Sequence, residues 1–562
     1  MLQIDSLLLK AFFEENKNFL INARVQKVQQ PTRREVILHL RNNGVSRKLY
    51  ININPSFYHI CFMNKENELK RNIEIPKQPP MFCMLLRKHI EGARIISVNN
   101  PEFERIIELT FENYNEIGDR IEECLSIELM GKHSNIVLYN ADNNIILGCA
   151  HNIGAEKSKE RELSGGLPYV YPPKQDKKNL LQTRFDWFKS AILKSDDSIK
   201  KTVAQRYFAL SQAMVEEICT KIGIDSNKIA NSASETELQH LFVTLHEFLD
   251  SDTFSYCVNK DFSAYSCVDN IGIKYENINS LIDDYFAYNI EKSLISGLKT
   301  SLSSRVNKEL QKQLNTHKNQ QKQVDKKEKA NLYMKKGNLL TSNAYAIKSF
   351  DKNVRLFDYE TNEYINIELD ENLNVIDNAK KYFAMYNKAK RAYKIAEQML
   401  AETETEIIIL KQLIYDIEVC NSYEELKEIS AEFEPQNEHN IKKKKEKEIN
   451  VTKLEIDGYS VFIGKNNKQN DYLYSKISSG NDIWFHVVNT PGSHIIAKAK
   501  NSSQQMKDGT ILKIAKLAKE YSTAKNSLKV PVVYTLRKYV KRPNNTKSGF
   551  VVYKNETEIV VD

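Results

Sequence analysis

Tyr382-Phe-Ala-Met-Tyr-Asn-Lys-Ala-Lys-Arg-Ala-Tyr-Lys-Ile-Ala-Glu-Gln-Met-Leu-Ala-Glu-Thr-Glu-Thr-Glu-Ile-Ile-Ile-Leu-Lys-Gln-Leu-Ile-Tyr-Asp-Ile417 is the stretch that decides the architecture of this chain. Tyr382, Tyr386, Ala389, Tyr393, Ala396, Leu400, Thr403, Ile407, Leu410, Ile414 and Ile417 follow one another at gaps of 4, 3, 4, 3 for five heptads without a slip. A seam that long belongs to a helix paired with another helix along its length. Upstream, Leu294, Leu298, Leu302, Val306, Leu310 and Leu314 make a second apolar stripe, followed by a polar, lysine-rich stretch to Lys329. The simplest pairing is intramolecular and antiparallel; a parallel homodimer is the alternative. Forty helical residues reach ~60 Å, a length suited to bridging sites on a large partner.

Working outward, the insert 337–377 holds Val354-Arg-Leu-Phe and Tyr364-Ile-Asn-Ile-Glu-Leu369 around Glu360-Thr-Asn-Glu363, which predicts a β-hairpin at the tip of the arm. Residues 1–178 mix strands (Arg34–Leu40, Ile106–Phe111, Leu125–Leu129) with helices near Leu7–Asn18 and Phe82–Glu91, an α/β or α+β domain closed by the Gly165–Pro173 loop. Residues 179–280 read as helical, with a short amphipathic helix at Ala209–Cys219 before a Gly223 turn; a helix-hairpin-helix module fits. The arm and its insert occupy 281–440. The run Lys442-Lys-Lys-Lys-Glu-Lys-Glu448 reads as a solvated linker into 441–562. There, strands at Tyr459–Ile463, Ile483–Val488, Ile495–Ala497, Val532–Leu536 and Gly549–Tyr553 bracket one helix, Thr510–Tyr521. Four domains suit 562 residues at ~150 per domain.

Apolar residues make up 41% and charged ones 27%, which excludes wholesale disorder. No apolar run approaches the ~18 residues of a membrane span, and no signal peptide is read, so a cytoplasmic protein without membrane partners is expected. The eight cysteines form no CxxC pair and no zinc spacing, which points to buried free thiols. Phosphate-binding loops, HExxH and GxSxG are missing, so neither a catalytic residue nor a metal or other cofactor is expected.

Charge is concentrated. Lys500–Lys547 carries twelve basic and two acidic residues, +10 in a chain whose total is +8. Tyr534, Tyr539 and Phe550 interleave with these cations, a pattern suited to RNA. Lys513, Lys516 and Lys519 share one helix face; Arg537, Lys538, Lys541 and Arg542 follow. In Asp482-Ile-Trp-Phe-His-Val-Val-Asn-Thr-Pro-Gly-Ser-His494, Trp484, His486 and His494 have three readings: structural strand-end residues around a Pro491-Gly492 turn, RNA contacts, or catalysis.

These residues also carry a resemblance. Asp482–His486, Pro491–His494, Val530-Pro-Val-Val-Tyr-Thr535 and Tyr539-Val-Lys-Arg-Pro543 resemble the NFACT-R domain. Pro80-Met-Phe-Cys-Met-Leu-Leu-Arg-Lys-His-Ile-Glu-Gly92 and Glu128–Asn135 are similar to NFACT-N, and Gly337–Leu340 with Asn378–Lys390 to its middle domain. The chain is identified as a member of the RqcH/NEMF family along essentially its whole length.

That resemblance implies a multidomain α+β fold. Its parts would be an N-terminal domain like the formamidopyrimidine-DNA glycosylases, a helix-hairpin-helix domain, a long antiparallel coiled coil with a β-hairpin tip, and a C-terminal α/β NFACT-R domain. It implies a non-enzymatic ribosome quality-control factor. Such a factor binds large (50S) subunits and their rRNA, obstructed by peptidyl-tRNA. It recruits alanine-charged tRNA for mRNA-independent alanine tailing, helped by a small RqcP-like RNA-binding protein. Asp5, Glu104 and Arg105 match the family's tRNA-binding positions, with Glu104 where the family has Asp. Trp484, His486, His494, Lys513, Lys516, Lys519, Arg537, Lys538, Lys541 and Arg542 are the candidates for RNA and ribosome contact. Glycosylase chemistry does not carry over, because the chain opens Met-Leu-Gln rather than with the proline amine and has no Cys zinc finger. Some family members bear the name fibronectin-binding protein, which implies a surface adhesin as the alternative.

Overall fold

The computed structural model describes residues 4–102, 104–114, 118–156, 160–173, 176–250, 257–259, 265–266, 272–347, 352–433, 451–499, 506–543 and 549–562. The linker run at Lys442–Glu448 and Cys267 lie outside the described residues. The other seven cysteines are free and buried. The chain divides into two compact units, Met1–Ser293 and Leu294–Asp562.

The first unit is built on a nine-stranded sheet. Its order is His59–Met63, Val45–Asn52, Glu35–Asn42, Arg24–Gln29, Arg94–Asn99, Ile106–Tyr114, Arg120–Glu128, Asn135–Asn140, Ile146–Cys149. Every neighbouring pair is antiparallel. This corrects the α/β alternative to α+β. Tight turns such as Asn43-Gly44, both at positive φ, join neighbouring strands, where a parallel sheet would need long crossovers. Helices Ser6–Leu20 and Met81–Ile90 bury Leu8, Leu9, Phe12 and Phe82, Leu86, Ile90.

A four-helix cluster follows: Phe185–Leu193, Ile199–Arg206, Gln212–Lys221 and Glu235–Asp250, packed around Phe188, Val203, Ile218 and Leu241. The helix expected from Ala209 begins at Gln212 instead. Ser211 caps it, its Oγ accepting from the Met214 N–H at 3.2 Å, while Ala209 adopts φ +64°.

Helix Ile278–Val324 starts in this unit and is fixed there by buried charge. Asp283 takes Arg71 Nη1 at 2.6 Å and Asn67 Nδ2 at 2.9 Å, and His59 stacks on Phe286 at 4.1 Å. Glu15 accepts both the Ile278 and Asn279 N–H groups, at 2.5 and 3.2 Å, which satisfies two of the orphan donors of a helix start.

In the second unit, the continuation of Ile278–Val324 beyond Ser293 and helix Lys327–Ser342 run antiparallel to Val375–Val419. The pairing is intramolecular. Lys299 Nζ donates to the Glu418 carbonyl at 2.9 Å, His317 meets Glu404 at 3.1 Å, and the Lys327 cation lies 5.7 Å from the Tyr393 ring. Each step outward on one helix is a step back on the other. Leu302, Val306, Leu310, Ile407, Leu410 and Ile417 make the inner core. The helices extend further than the 337–377 insert suggested, to Ser342 and from Val375. The hairpin itself is Asn353–Asp358 and Glu363–Glu368, in register from Asn353↔Glu368 to Asp358↔Glu363.

The C-terminal sheet has six antiparallel strands, in the order Thr452–Ile456, Tyr459–Gly464, His494–Ala499, Ile483–Val487, Val530–Leu536, Thr557–Val561. It too is α+β, which corrects the expected α/β class. Helix Asp508–Glu520 packs Ile511, Ile514, Ala515 and Ala518 on one face. Leu473, Trp484, Ile496, Val533 and Val540 form a smaller core of their own.

Candidate RNA-binding sites

Asp5 caps helix Ser6–Leu20, accepting the Leu8 N–H on Oδ1 at 2.8 Å. Burial of Leu7, Leu8 and Leu9 in the following turn fixes where the carboxylate stands. Arg105 closes a turn in which the Glu104 N–H donates to the Pro101 carbonyl at 3.0 Å, and the Arg105 carbonyl accepts from Leu129 at 2.8 Å. Its Nη1 donates to the Tyr58 hydroxyl at 3.3 Å. Tyr58 is 1% exposed. Burial raises its phenol pKa most strongly, Arg105 opposes that, and Asp5 adds to it. Asp5 and Arg105, a hundred positions apart, therefore both act electrostatically on one phenol. Glu104 stands half-buried next to Arg105, its carbonyl accepting Asn100 Nδ2 at 3.3 Å. Nothing local in the sequence marks Tyr58, which precedes a strand that four others separate from Ile106–Tyr114 in the sheet order.

The C-terminal motif is arranged differently. Trp484 and His486 alternate along Ile483–Val487 and share a face. The antiparallel register Trp484↔Ile496, Phe485↔Ile495 sets His494 opposite His486. Trp484 stacks on His486 at 5.6 Å, and the two imidazoles meet edge-on at 5.2 Å. Trp484 is 2% exposed and His494 6%. Burial lowers the His486 pKa to about 4 and that of His494 well below its ordinary value, with His486 adding to the latter. Both rings are neutral near pH 7. Burial of Trp484 and His494 fits the structural reading for those two, whereas His486 is half-buried.

The basic residues divide by what they already hold. Lys513 and Lys516 are exposed and Lys519 half-buried on the outer face of Asp508–Glu520, but Lys513 pairs with Asp457 at 2.8 Å. The Arg537 guanidinium lies 3.8 Å from the Tyr474 ring and donates to the Tyr474 carbonyl at 2.8 Å. Arg542 reaches both Asp471 carboxylate oxygens at 3.0 Å. Lys538 and Lys541 are exposed, and no ion pair is formed by either among the described residues.

One cationic surface is not marked by any motif. On the outer arm, 308–336 and 380–394 together hold fifteen Lys and Arg against three acidic residues, whereas 397–418 holds six acidic residues and Lys411. A charge count over the paired helices, rather than over either one, finds it.

Comparison with known proteins follows this layout. The model of NFACT N-terminal and middle domains matches residues 5–451, and the NFACT protein RNA binding domain matches 449–555. The chain belongs to the NFACT family. Among curated NFACT relatives, "Rqc2 homolog RqcH" of Bacillus subtilis is 28% identical, and its namesake in Streptococcus pneumoniae 29%, each match covering 100% of this chain and 98% of the relative. An archaeal relative, "Archaeal Rqc2 homolog aRqcH" of Methanocaldococcus jannaschii, is 28% identical over 60% of this chain and 50% of its own length. The N-terminal part of the fibronectin/fibrinogen-binding protein from Streptococcus suis aligns with a TM-score of 0.40 at 26% identity, covering 50% of this chain and 99% of that one. As an NFACT protein with RqcH relatives along its full length, this chain is an RNA-binding factor of ribosome quality control. No helix among the described residues is long and apolar enough to cross a membrane.

Proposed function

We propose that this protein binds large (50S) subunits and their rRNA when they remain obstructed by peptidyl-tRNA, and recruits alanine-charged tRNA to them. The nascent chain is then tailed with alanine without mRNA and so marked for degradation, with an RqcP-like small RNA-binding protein assisting in the cytoplasm. Peptide-bond formation belongs to the ribosome, so the protein positions tRNA and catalyses nothing itself. The observation that carries this reading is the full-length correspondence with RqcH proteins, both NFACT models falling in order along one chain.

Asp5, Glu104 and Arg105 take the tRNA in this reading. Lys513, Lys516, Lys519, Lys538, Lys541 and the outer arm take rRNA phosphates, while Arg537, Arg542, Trp484, His486 and His494 shape the surface beside them. The N-terminal layer corresponds to the glycosylase type of fold without its chemistry, residues 179–280 to the helix-hairpin-helix module, and the paired arm helices to a coiled coil tipped by the 353–368 hairpin. A fibronectin-binding adhesin is the competing reading, named for relatives such as the Streptococcus suis protein.

The test is to purify wild type and the Glu104→Ala/Arg105→Ala variant from translation-stressed cells and sequence the bound RNA. Wild type should enrich large-subunit rRNA and one tRNA class, and the variant should keep the rRNA and lose the tRNA. Wild type that carries no RNA would overturn the reading in favour of the adhesin.

A further inference from the structure

The paired arm is not uniform along its length. Its inner block is held by Leu302, Val306, Leu310, Ile407, Leu410 and Ile417, and its outer block by Leu340, Ile367, Val375 and Ala379 around the hairpin. Neither core extends into 317–330 or 386–403. Along that waist the upstream helix offers half-buried His317, Gln320 and Val324 where the inner block has buried leucines and valine. Only the small side chains of Ala330, Ala396 and Thr403 are fully buried there among the described residues. Gln320 Oε1 is buried without a hydrogen-bond partner, and the Thr403 hydroxyl donates to the Met399 carbonyl of its own helix at 2.8 Å. The upstream helix also breaks here. It ends at Val324 and resumes at Lys327, with the Lys326 N–H bonded three residues back to the Gln323 carbonyl at 3.2 Å, while Val375–Val419 runs on unbroken. Charge accumulates at the same level: 317–330 and 386–396 hold nine Lys and Arg against Asp325 and Glu328. None of the nine forms an ion pair among the described residues. Lys327 lies 5.7 Å from the Tyr393 ring across the seam, Lys390 lies 5.2 Å from the Tyr386 ring, and Lys326 donates to Gln323 Oε1 at 3.0 Å. An interface with little apolar surface to expose opens locally at low cost. Like charges four apart, as in Lys318, Lys322 and Lys326 or Lys390 and Lys394, destabilise the helices that carry them.

We propose that the arm is jointed at this waist. The hairpin-bearing outer block pivots on the inner block about 317–330 and 386–396, and an RNA strand laid along the waist neutralises its cations and stiffens the joint. The joint follows from the packing alone; its stiffening rests on the reading of the outer arm as a phosphate-binding surface. Such an arm searches for its contact while free and becomes a rigid strut once phosphates are in place.

Hydrogen–deuterium exchange of the full chain, free and with poly(U) RNA, reads both parts. In the free protein, amides of 317–330 and 386–396 should exchange roughly tenfold faster than those of 302–310, 407–417 and 375–383. Fast exchange confined to 324–327 would show a helix break without a joint, and equal protection along the arm would also overturn the proposal. Gln320 and Thr403 lie on facing helices just tipward of the His317–Glu404 pair. Filling the seam with Gln320→Leu/Thr403→Leu should bring waist exchange to within about threefold of the flanks. Waist exchange that stays fast in the folded variant would overturn the packing argument. The pivot itself is read by time-resolved energy transfer between dyes on azido side chains at exposed positions 308 and 338, ~45 Å apart along a straight arm. The free protein should give a broad spread of distances that poly(U) narrows; a narrow spread without RNA would overturn the pivot. Poly(U) should protect the waist about tenfold in wild type and hardly at all in Lys322→Gln/Lys326→Gln/Lys390→Gln/Lys394→Gln, since its contacts are made by counterion release. Equal protection of both proteins would strike the stiffening and keep the joint. If poly(U) protects neither while the free waist is fast, the phosphate-binding reading of the arm falls and the joint stands.

Discussion

The two regions nominated for RNA contact differ in kind. At the N-terminal site a short, unremarkable stretch, Glu104-Arg105, sets a half-buried cation against one buried phenol. In the C-terminal domain a long and conspicuous motif, Asp482–His494, buries Trp484 against Ile496, Tyr553 and His494. Conspicuousness reports constraint, and constraint has two sources. Large rings must fit neighbours on every side, which fixes many residues at once. A recognition site needs only one or two groups with unspent hydrogen-bonding capacity. The difference is measurable, because a buried ring acts on stability whereas an exposed cation acts on binding.

The largest effect belongs to Trp484. Truncation to alanine removes a ring that is 2% exposed and leaves a cavity under the sheet. It should cost about 3–5 kcal/mol, read as the loss of a folding transition in calorimetry of the full chain. A normal melting profile with reduced ribosome binding would reverse the assignment and make Trp484 a contact residue.

The next effect is acid sensitivity. His486 and His494 are neutral when folded, their pKa values held below 6.5 by burial. The unfolded chain takes up protons near 6.5, and the folded domain does so only at lower pH. Their contribution is therefore complete above pH 6.5 and is lost as pH falls from there toward about 4. The slope should be on the order of 1 kcal/mol per histidine per pH unit. His59 in the N-terminal unit is also held neutral, by burial and by Arg71, so melting alone does not assign the slope. Imidazole resonances do, and either C-terminal ring titrating near pH 6.5 would put it at the surface.

A smaller effect separates capping from recognition at Asp5. Asp5→Ala removes the hydrogen bond to Leu8 and should cost about 1 kcal/mol. Asp5→Asn keeps the cap and removes the charge that acts on Tyr58. If both variants lose tRNA while only alanine lowers the melting temperature, recognition depends on the charge. If asparagine behaves as wild type in both assays, Asp5 is a cap alone.

The arm was the most legible part, because a heptad seam states its own geometry. Of its eleven positions from Tyr382 to Ile417, all are buried or half-buried. Which helix it meets followed from the upstream leucine stripe, and in the structure the two helices meet within one chain, as at His317 and Glu404. Strands Thr452–Ile456 and Thr557–Val561 were not read, since both lie at the edges of the sheet and bury few side chains, which weakens the alternation that marks a strand. The Asp457-Gly458 turn, both residues at positive φ, was the available signal for the first. At the N-terminal site the motif residues could be named but not their neighbours. Tyr58 meets Arg105 from 47 positions away along the chain, and no local pattern encodes a contact made at that distance.

The smallest stability effect, and the finest division, lies within the lysine face of Asp508–Glu520. Lys513, Lys516 and Lys519 look equivalent by spacing, but Lys513 holds Asp457 at 2.8 Å and that carboxylate is also bound by Thr510 at 3.0 Å. Part of the Lys513 charge is already answered, so an incoming phosphate gains less there than at exposed Lys516. Single charge reversals should accordingly rank in ribosome cosedimentation: Lys516→Glu weakens it most at moderate salt and Lys513→Glu least. All three should leave the melting temperature nearly unchanged, because exposed charges and exposed pairs add little to stability. The ranking should collapse as salt rises, since the contacts are made by counterion release. Removing the competitor gives the reverse test: Asp457→Asn frees Lys513 and should strengthen cosedimentation. If Asp457→Asn has no effect, or if the three reversals prove equal, the helix acts through its summed charge and the internal pair with Asp457 is irrelevant to binding.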